Sequence, residues 1–259
     1  MTGRMRVGTA LVAGLLGFAA QASAQIPGMP LFTNPRYGTG LRVHADIGQP
    51  TKSGTGLGDF TLVQGGATLA LGPIGLGANV ATNLRKAQAV AGGAAPTEDD
   101  NFTGSAIAQL RVAGGGRQSM SLSIFGGASA DITARQVAAA TQGVKFPVQM
   151  TFPVGASLGL RIPLGLTALS VWGAPRYAFT KYVNCPDAVP AAILAVRPDL
   201  ANLPNRCHDT DKAFRWSAGA DLPILGILSI RAAYDSGKIN GETVSYWGIG
   251  ASIGIGGMR

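Results

Sequence analysis

The amino-acid sequence predicts an all-β fold, a closed antiparallel up-and-down transmembrane barrel of about ten strands, with eight and twelve as the alternative counts. Three observations carry that expectation. The chain has 259 residues, 46% hydrophobic but only 13% charged, and 38 of them are glycine. Charge is thus about half the roughly 25% of an ordinary soluble protein, and glycine about twice its usual share of roughly 7%. That balance argues against a solvated globule and against disorder. Beyond the first two dozen residues, no apolar run reaches the ~18 residues of a spanning helix. From Gly40 onward, what recurs instead is the two-residue alternation of strands.

Ten segments show this alternation in turn. Leu41, Val43, Ala45 and Ile47 share one face, and Arg42, His44 and Asp46 the other. In the second, Val63, Ala67, Leu69 and Leu71 oppose Gln64, Gly66 and Thr68; in the third, Leu76, Ala78, Val80 and Leu84 oppose Gly77, Asn79, Asn83 and Arg85. The fourth sets Phe102, Ala106, Ala108, Leu110 and Val112 against Thr103, Ser105, Gln109 and Arg111. Met120, Leu122, Ile124, Ala128 and Ala130 then oppose Ser121, Ser123, Ser129 and Asp131. In the sixth, Phe152, Val154, Ala156, Leu158, Leu160 and Ile162 face away from Thr151, Gly155, Ser157, Gly159 and Arg161. The seventh has Thr167, Leu169, Val171, Tyr177 and Phe179 opposite Ser170, Trp172 and Arg176. Phe214, Trp216, Ala218, Ala220 and Leu222 oppose Arg215, Ser217, Gly219 and Asp221 in the eighth. Leu228, Ile230, Ala232 and Tyr234 oppose Ser229, Arg231 and Asp235 in the ninth. The last alternates Trp247, Ile249, Ala251, Ile253 and Ile255 with glycines and Ser252.

The connections alternate as well. Long polar stretches span 49–59, 86–101, 132–147 and 182–212; tight turns fall at 72–75, 113–118, 163–165 and 223–226; a medium connection covers 236–242. Membrane barrels have an even strand number, short turns on the side of both termini and longer loops outside. A soluble sandwich has no reason to sort its connections in this way.

Through this pattern, over roughly 40–258, the chain resembles the small outer-membrane β-barrel proteins of two-membraned bacteria. The resemblance implies a place in the bacterial outer membrane, with outer-membrane lipid and lipopolysaccharide as surroundings. Many members of that family end in an aromatic residue, whereas this chain ends Gly256-Gly257-Met258-Arg259.

The N-terminus reads as an export address. Arg4 and Arg6 precede an apolar run over 7–20, and Ala22-Ser23-Ala24 supplies a small-x-small cleavage pattern. The expected organisation is a signal peptide at 1–24, a periplasmic leader at 25–39 and a barrel at 40–259 with an external loop at 182–212. Cys185 and Cys207 lie together in that loop, where an oxidising compartment favours a disulfide over a metal pair. Closing such a loop is worth roughly 3 kcal/mol in the chain-entropy model. The apolar stretch 190–203 within the loop reads as a short helix over the barrel mouth, or as a surface for an external partner.

If the larger apolar side chains meet lipid, the ionisable residues of the strands share the lumen: Arg42, His44, Asp46, Arg85, Arg111, Asp131, Arg161, Arg176, Arg215, Asp221, Arg231 and Asp235. An Arg or Lys facing lipid at midplane costs about 2–4 kcal/mol, so this partition is strongly driven. An Arg–Asp network could fill a narrow barrel. The alternative is a thin anion-preferring pathway lined by the excess of Arg. Lys52, Lys86, Lys145, Lys181, Lys212 and Lys238 lie at the strand–loop junctions, beside most of the aromatic residues. They suit contact with lipopolysaccharide phosphates, or simply a hydrated rim.

Chemistry-bearing motifs are few. Gly155-Ala156-Ser157-Leu158-Gly159 and Gly250-Ala251-Ser252-Ile253-Gly254 match G-x-S-x-G, but that motif needs a strand–turn–helix elbow, and both copies fall mid-strand. A ten-stranded barrel is also similar to the omptin proteases, for which His208-Asp209-Thr210-Asp211 and Asp99-Asp100 are the nearest residues, with no motif that maps onto them. No catalytic residue, cofactor or metal is assigned, and no aromatic-studded basic patch for nucleic acid is found. The expected role is structural or surface-contacting and non-enzymatic; a passive pore, a rim hydrolase and a soluble exported β-protein are the rivals.

Overall fold

The computed structural model describes Asn34 and residues 39–52, 60–85, 101–115, 118–131, 148–183, 210–224, 227–239 and 242–255. The strands are β1 Gly40–Lys52, β2 Phe60–Leu71, β3 Ile74–Arg85, β4 Asn101–Gly114, β5 Met120–Asp131, β6 Val148–Leu164, β7 Thr167–Val183, β8 Thr210–Pro223, β9 Leu228–Ile239 and β10 Glu242–Ile255. Each pairs with its neighbours in sequence, and β1 also pairs antiparallel with β10, so the sheet closes. Closure leaves no edge of unpaired N–H and C=O groups, which hydrocarbon would not satisfy. Among the described residues no helix is long and apolar enough to cross a membrane.

The tight connections cluster at one end. Leu71 pairs with Ile74 across Gly72-Pro73, and Gly72 has φ 62°. A positive φ at the first central position is what a type II′ hairpin turn requires, and the fixed φ of proline suits the second. At that same end Leu41 of β1 pairs with both Leu69 and Ile255, so the barrel begins and finishes beside its short turns.

The two faces of the wall reverse the order of a soluble protein. Val43, Ile47, Val80, Leu110, Ile124, Leu158, Ile230 and Ile253 are exposed outward, while Gln64, Asn79, Gln109, Ser123, Ser157, Ser217 and Ser252 are buried inward. A band of aliphatic side chains around the whole circumference is stable only against lipid. The fold is therefore a transmembrane barrel and not a pair of stacked sheets.

Not every large apolar residue faces lipid: Trp172, expected on the inward face beside Ser170 and Arg176, is buried there, and four further large apolar residues join it. Leu62, Phe125, Trp172, Val244 and Tyr246 are buried in one cluster, with Ile107 packed against it. A barrel of this size is filled by its own side chains, and an apolar layer there escapes water as any core does. Glycines make the room. A Cβ on Gly219 would lie 2.5 Å from Cζ2 of Trp172, and one on Gly155 would lie 2.8 Å from Cζ of Phe125. Gly219→Val is accordingly expected to destabilise the barrel by about 1–3 kcal/mol through overpacking. The reading is the urea midpoint in detergent or lipid; an unchanged midpoint would mean that Trp172 moves aside freely.

Candidate functional site in the barrel lumen

Alternation brings charged residues inward, and strand register decides which of them meet. On β7 and β8, Arg176 stands directly opposite Arg215. Two like charges in that position repel. Asp235 of β9 offsets the repulsion by giving one oxygen to each: Arg176 Nη2 donates to Oδ1 at 2.6 Å and Arg215 Nη2 to Oδ2 at 3.2 Å. Arg176 also donates through Nη1 to Ser217 Oγ at 2.6 Å. All four side chains are buried.

A second cluster lies nearer the tight turns. Asp221 pairs across the ladder with Arg231, whose Nε is 3.3 Å from Oδ1. Trp172 Nε1 donates to Asp221 Oδ2 at 3.1 Å, and the Nδ2 amide of Asn34 donates to the same oxygen. Arg231 is also opposite Gly250, which in turn is opposite Asp46 of β1. A Cβ on Gly250 would strike the Asp46 carboxylate, so glycine is the residue that lets Asp46 occupy this position. His44 Nε2 lies 3.6 Å from Asp46 Oδ2, both side chains fully buried.

A third, uncharged cluster joins β4, β5 and β6. Gln109 Nε2 donates to Ser123 Oγ at 2.6 Å and to Ser157 Oγ at 3.2 Å, and the two hydroxyls share a bond of 2.7 Å. Ser157, one of the two G-x-S-x-G serines, is thus engaged inside the lumen on a strand that runs into the β7 hairpin. Ser252, the other, is buried on the inward face of β10. Neither stands on a strand–turn–helix elbow. Among the described residues, no group of three or more His, Cys, Asp or Glu is placed to hold a metal ion.

Several sequence-predicted residues lie elsewhere. Arg42 and Arg111 are half-buried on inward faces, while Arg161 is exposed near the tight-turn end of β6. Lys181, Lys212 and Lys238 are exposed on β7, β8 and β9. They share the outward parity of Tyr177 and Phe214, an edge-on pair at 5.6 Å, and of Trp216 and Tyr234 at 5.4 Å. The side chains of Arg85, Asp131 and Lys52 lie outside the described residues, as do Lys86, Lys145, Cys185, Cys207, His208, Asp209, the segments 1–24 and 190–203, and most of 25–39.

Sequence reasoning missed three features. Phe125 and Tyr246 were legible by parity, as residues in step with Ser123 and with Gly248. The Gln109–Ser123–Ser157 cluster needed the register as well. Asn34 carried no signal at all, since its partner is 187 residues away.

A closed ten-strand wall, apolar outside and polar inside, with its short turns at the end where the first strand begins and the last finishes, defines a small transmembrane β-barrel. Among solved structures, the chain is similar to the translocator domain of the autotransporter NalP from Neisseria meningitidis, at 14% identity and TM-score 0.38, covering 96% of this chain and 98% of that one. It is similar to the beta domain of the Bordetella autotransporter BrkA at 9% identity and TM-score 0.45, covering 84% and 100%. It is also similar to Ail, the attachment invasion locus protein of Yersinia pestis, at 10% identity and TM-score 0.34, covering 83% and 99%. No protein-family model and no curated protein sequence matches the chain.

Proposed function

We propose that this protein is a non-enzymatic barrel of the bacterial outer membrane, exported through a cleaved signal peptide, with a structural or surface-contact role and a lumen closed by its own side chains. The observation that supports this reading is the Asp235 bridge between Arg176 and Arg215, together with a buried apolar cluster of Leu62, Phe125, Trp172 and Tyr246, of which Tyr246 is the cross-strand partner of Asp235. Charges that satisfy one another across strands leave little to solvate a passing ion. The test is single-channel recording of the purified barrel in planar bilayers. No conductance steps are expected; regular steps in the folded protein would overturn closure.

One observation favours a second reading, a narrow anion-preferring pathway: Arg176 and Arg215 share a single aspartate, Asp235. Reversal-potential measurements in a chloride gradient would identify it by preference for the anion.

The external rim supports a lipid-contact role. Lys212 is opposite Phe179 and Lys181 is opposite Thr210, which puts the two lysines diagonally across neighbouring strands above the aromatic pairs. Ammonium groups above interfacial rings suit the phosphates of lipopolysaccharide. Changing Lys181, Lys212 and Lys238 together to alanine is expected to weaken lipopolysaccharide retention several-fold at low salt, measured by co-purification. Unchanged retention would return these lysines to a merely hydrated rim. In the same reading Cys185 and Cys207 form a disulfide in the external loop.

A further inference from the structure

We infer that the tip of the β8–β9 hairpin does not emerge into water but is immersed in lipid, its docking partner being the acyl chains of the leaflet on the tight-turn side. Depth, side-chain chemistry and backbone bonding converge on this hairpin.

The depth follows from the rings at the opposite rim. Trp216 and Tyr234 pack at 5.4 Å, and Trp247 is the cross-strand partner of Tyr234. Three consecutive strands thus each carry a ring with a polar edge, the kind that sits at the headgroup boundary. A strand that rises about 3.3 Å per residue and is tilted by about 40° descends roughly 2.5 Å per residue. Ile227 is seven residues from Tyr234, and Ile224 is eight from Trp216. The two isoleucines are therefore roughly 17–20 Å below the rings, whereas the apolar band of such a barrel is about 25 Å tall. This hairpin ends inside the band. The β6–β7 turn does not: Leu166 is eleven residues from Tyr177 and fully exposed, which puts it roughly 27 Å down, at the far boundary.

The chemistry suits that depth. Ile224 and Ile227 are 46% and 61% exposed. Residues 222–230 carry no charged side chain, while the β4–β5 connection carries Arg117 and Gln118. Ile224 also follows Ala220 and Leu222 on the outward parity of β8, so the tip continues the lipid-facing surface without a polar break.

The backbone supplies the independent observation. A turn in water can leave its polar groups to solvent, but in hydrocarbon each must be satisfied within the protein. Pro223 has no N–H to satisfy. Its carbonyl accepts from Thr167 Oγ1 of β7 at 2.8 Å. The Ile224 N–H donates to the Leu228 carbonyl at 2.8 Å, and the Ile227 carbonyl accepts from the Gly254 N–H of β10 at 2.8 Å. Both neighbouring strands thus contribute donors to this one hairpin.

The test is depth measurement by spin labelling. Ile227→Cys and, as the boundary control, Leu166→Cys are made with Cys185 and Cys207 replaced by serine, labelled with a nitroxide and folded into dioleoylphosphatidylcholine vesicles. Power saturation then compares collision with oxygen, which concentrates in hydrocarbon, and with a water-soluble nickel chelate. The oxygen-to-nickel ratio is expected to be several-fold higher at 227 than at 166. Equal ratios would overturn immersion, and a label at 227 reached by neither agent would overturn lipid as the occupant in favour of protein, such as a second copy. Should the cysteine-substituted chains not fold, Ile227→Lys and Leu166→Lys in the chain with its own cysteines decide the matter. Ile227→Lys is expected to lower the urea midpoint in vesicles clearly more than Leu166→Lys; equal shifts would overturn the inference. Neither readout depends on whether the lumen conducts.

Discussion

Replacing Asp235 with alanine is expected to cost the barrel about 3–5 kcal/mol, the range for breaking one side of a buried ion pair. The reason is geometric. Arg176 and Arg215 are cross-strand neighbours in the lumen, and Asp235 is the carboxylate that both contact. Its removal leaves two guanidinium groups facing each other with no anion between them. The measurement is urea-induced unfolding in lipid vesicles, with the double variant Arg215→Met and Asp235→Ala as the second corner of a cycle. That double variant is expected to recover a large part of the loss, because Arg176 keeps its bond to Ser217 and the repulsion is gone. If the single and double variants are equally unstable, the Arg–Arg repulsion is not the cause.

Val80→Arg is the second large effect, on the opposite side of the wall. Val80 lies near the middle of β3, is 50% exposed and has no inward partner. In a water-soluble barrel such a surface change would fall within about ±0.5 kcal/mol. Against hydrocarbon at midplane it is expected to cost about 2–4 kcal/mol, and the same change at Leu71, beside the tight turn, only about 0–1 kcal/mol. Folding free energies in bilayers for the two variants measure this depth dependence directly. Equal, negligible costs would remove the membrane from the account of this fold.

The alternation of residue types carried most of the architecture. In a strand, successive side chains point to opposite faces, so the side on which Arg231 or Val80 lies follows from its immediate neighbours. The tight turns were equally local, since Gly72-Pro73 and Gly165-Leu166 specify their own hairpins. The lumen was less legible. Parity puts Arg176, Arg215, Asp221, Arg231 and Asp235 on one side of the wall, but not in two separate clusters. Trp172 was read on the inward face beside Ser170 and Arg176, but the rest of the inward apolar layer was obscured because Phe125 and Tyr246 are of the same residue type as the aromatics of the outer rim.

The sequence by itself thus determined the strands, their faces and the ends at which they turn, because these depend on interactions between residues a few positions apart. Only the tertiary structure decided which inward groups meet. Asp235 lies 59 positions from Arg176, Asp221 lies 49 from Trp172, and Asn34 lies 187 from Asp221. The contacts of Asp221 and Asp235 with Trp172, Arg231, Arg176 and Arg215 depend on the register of β7, β8 and β9 against one another, which no local pattern of residues sets.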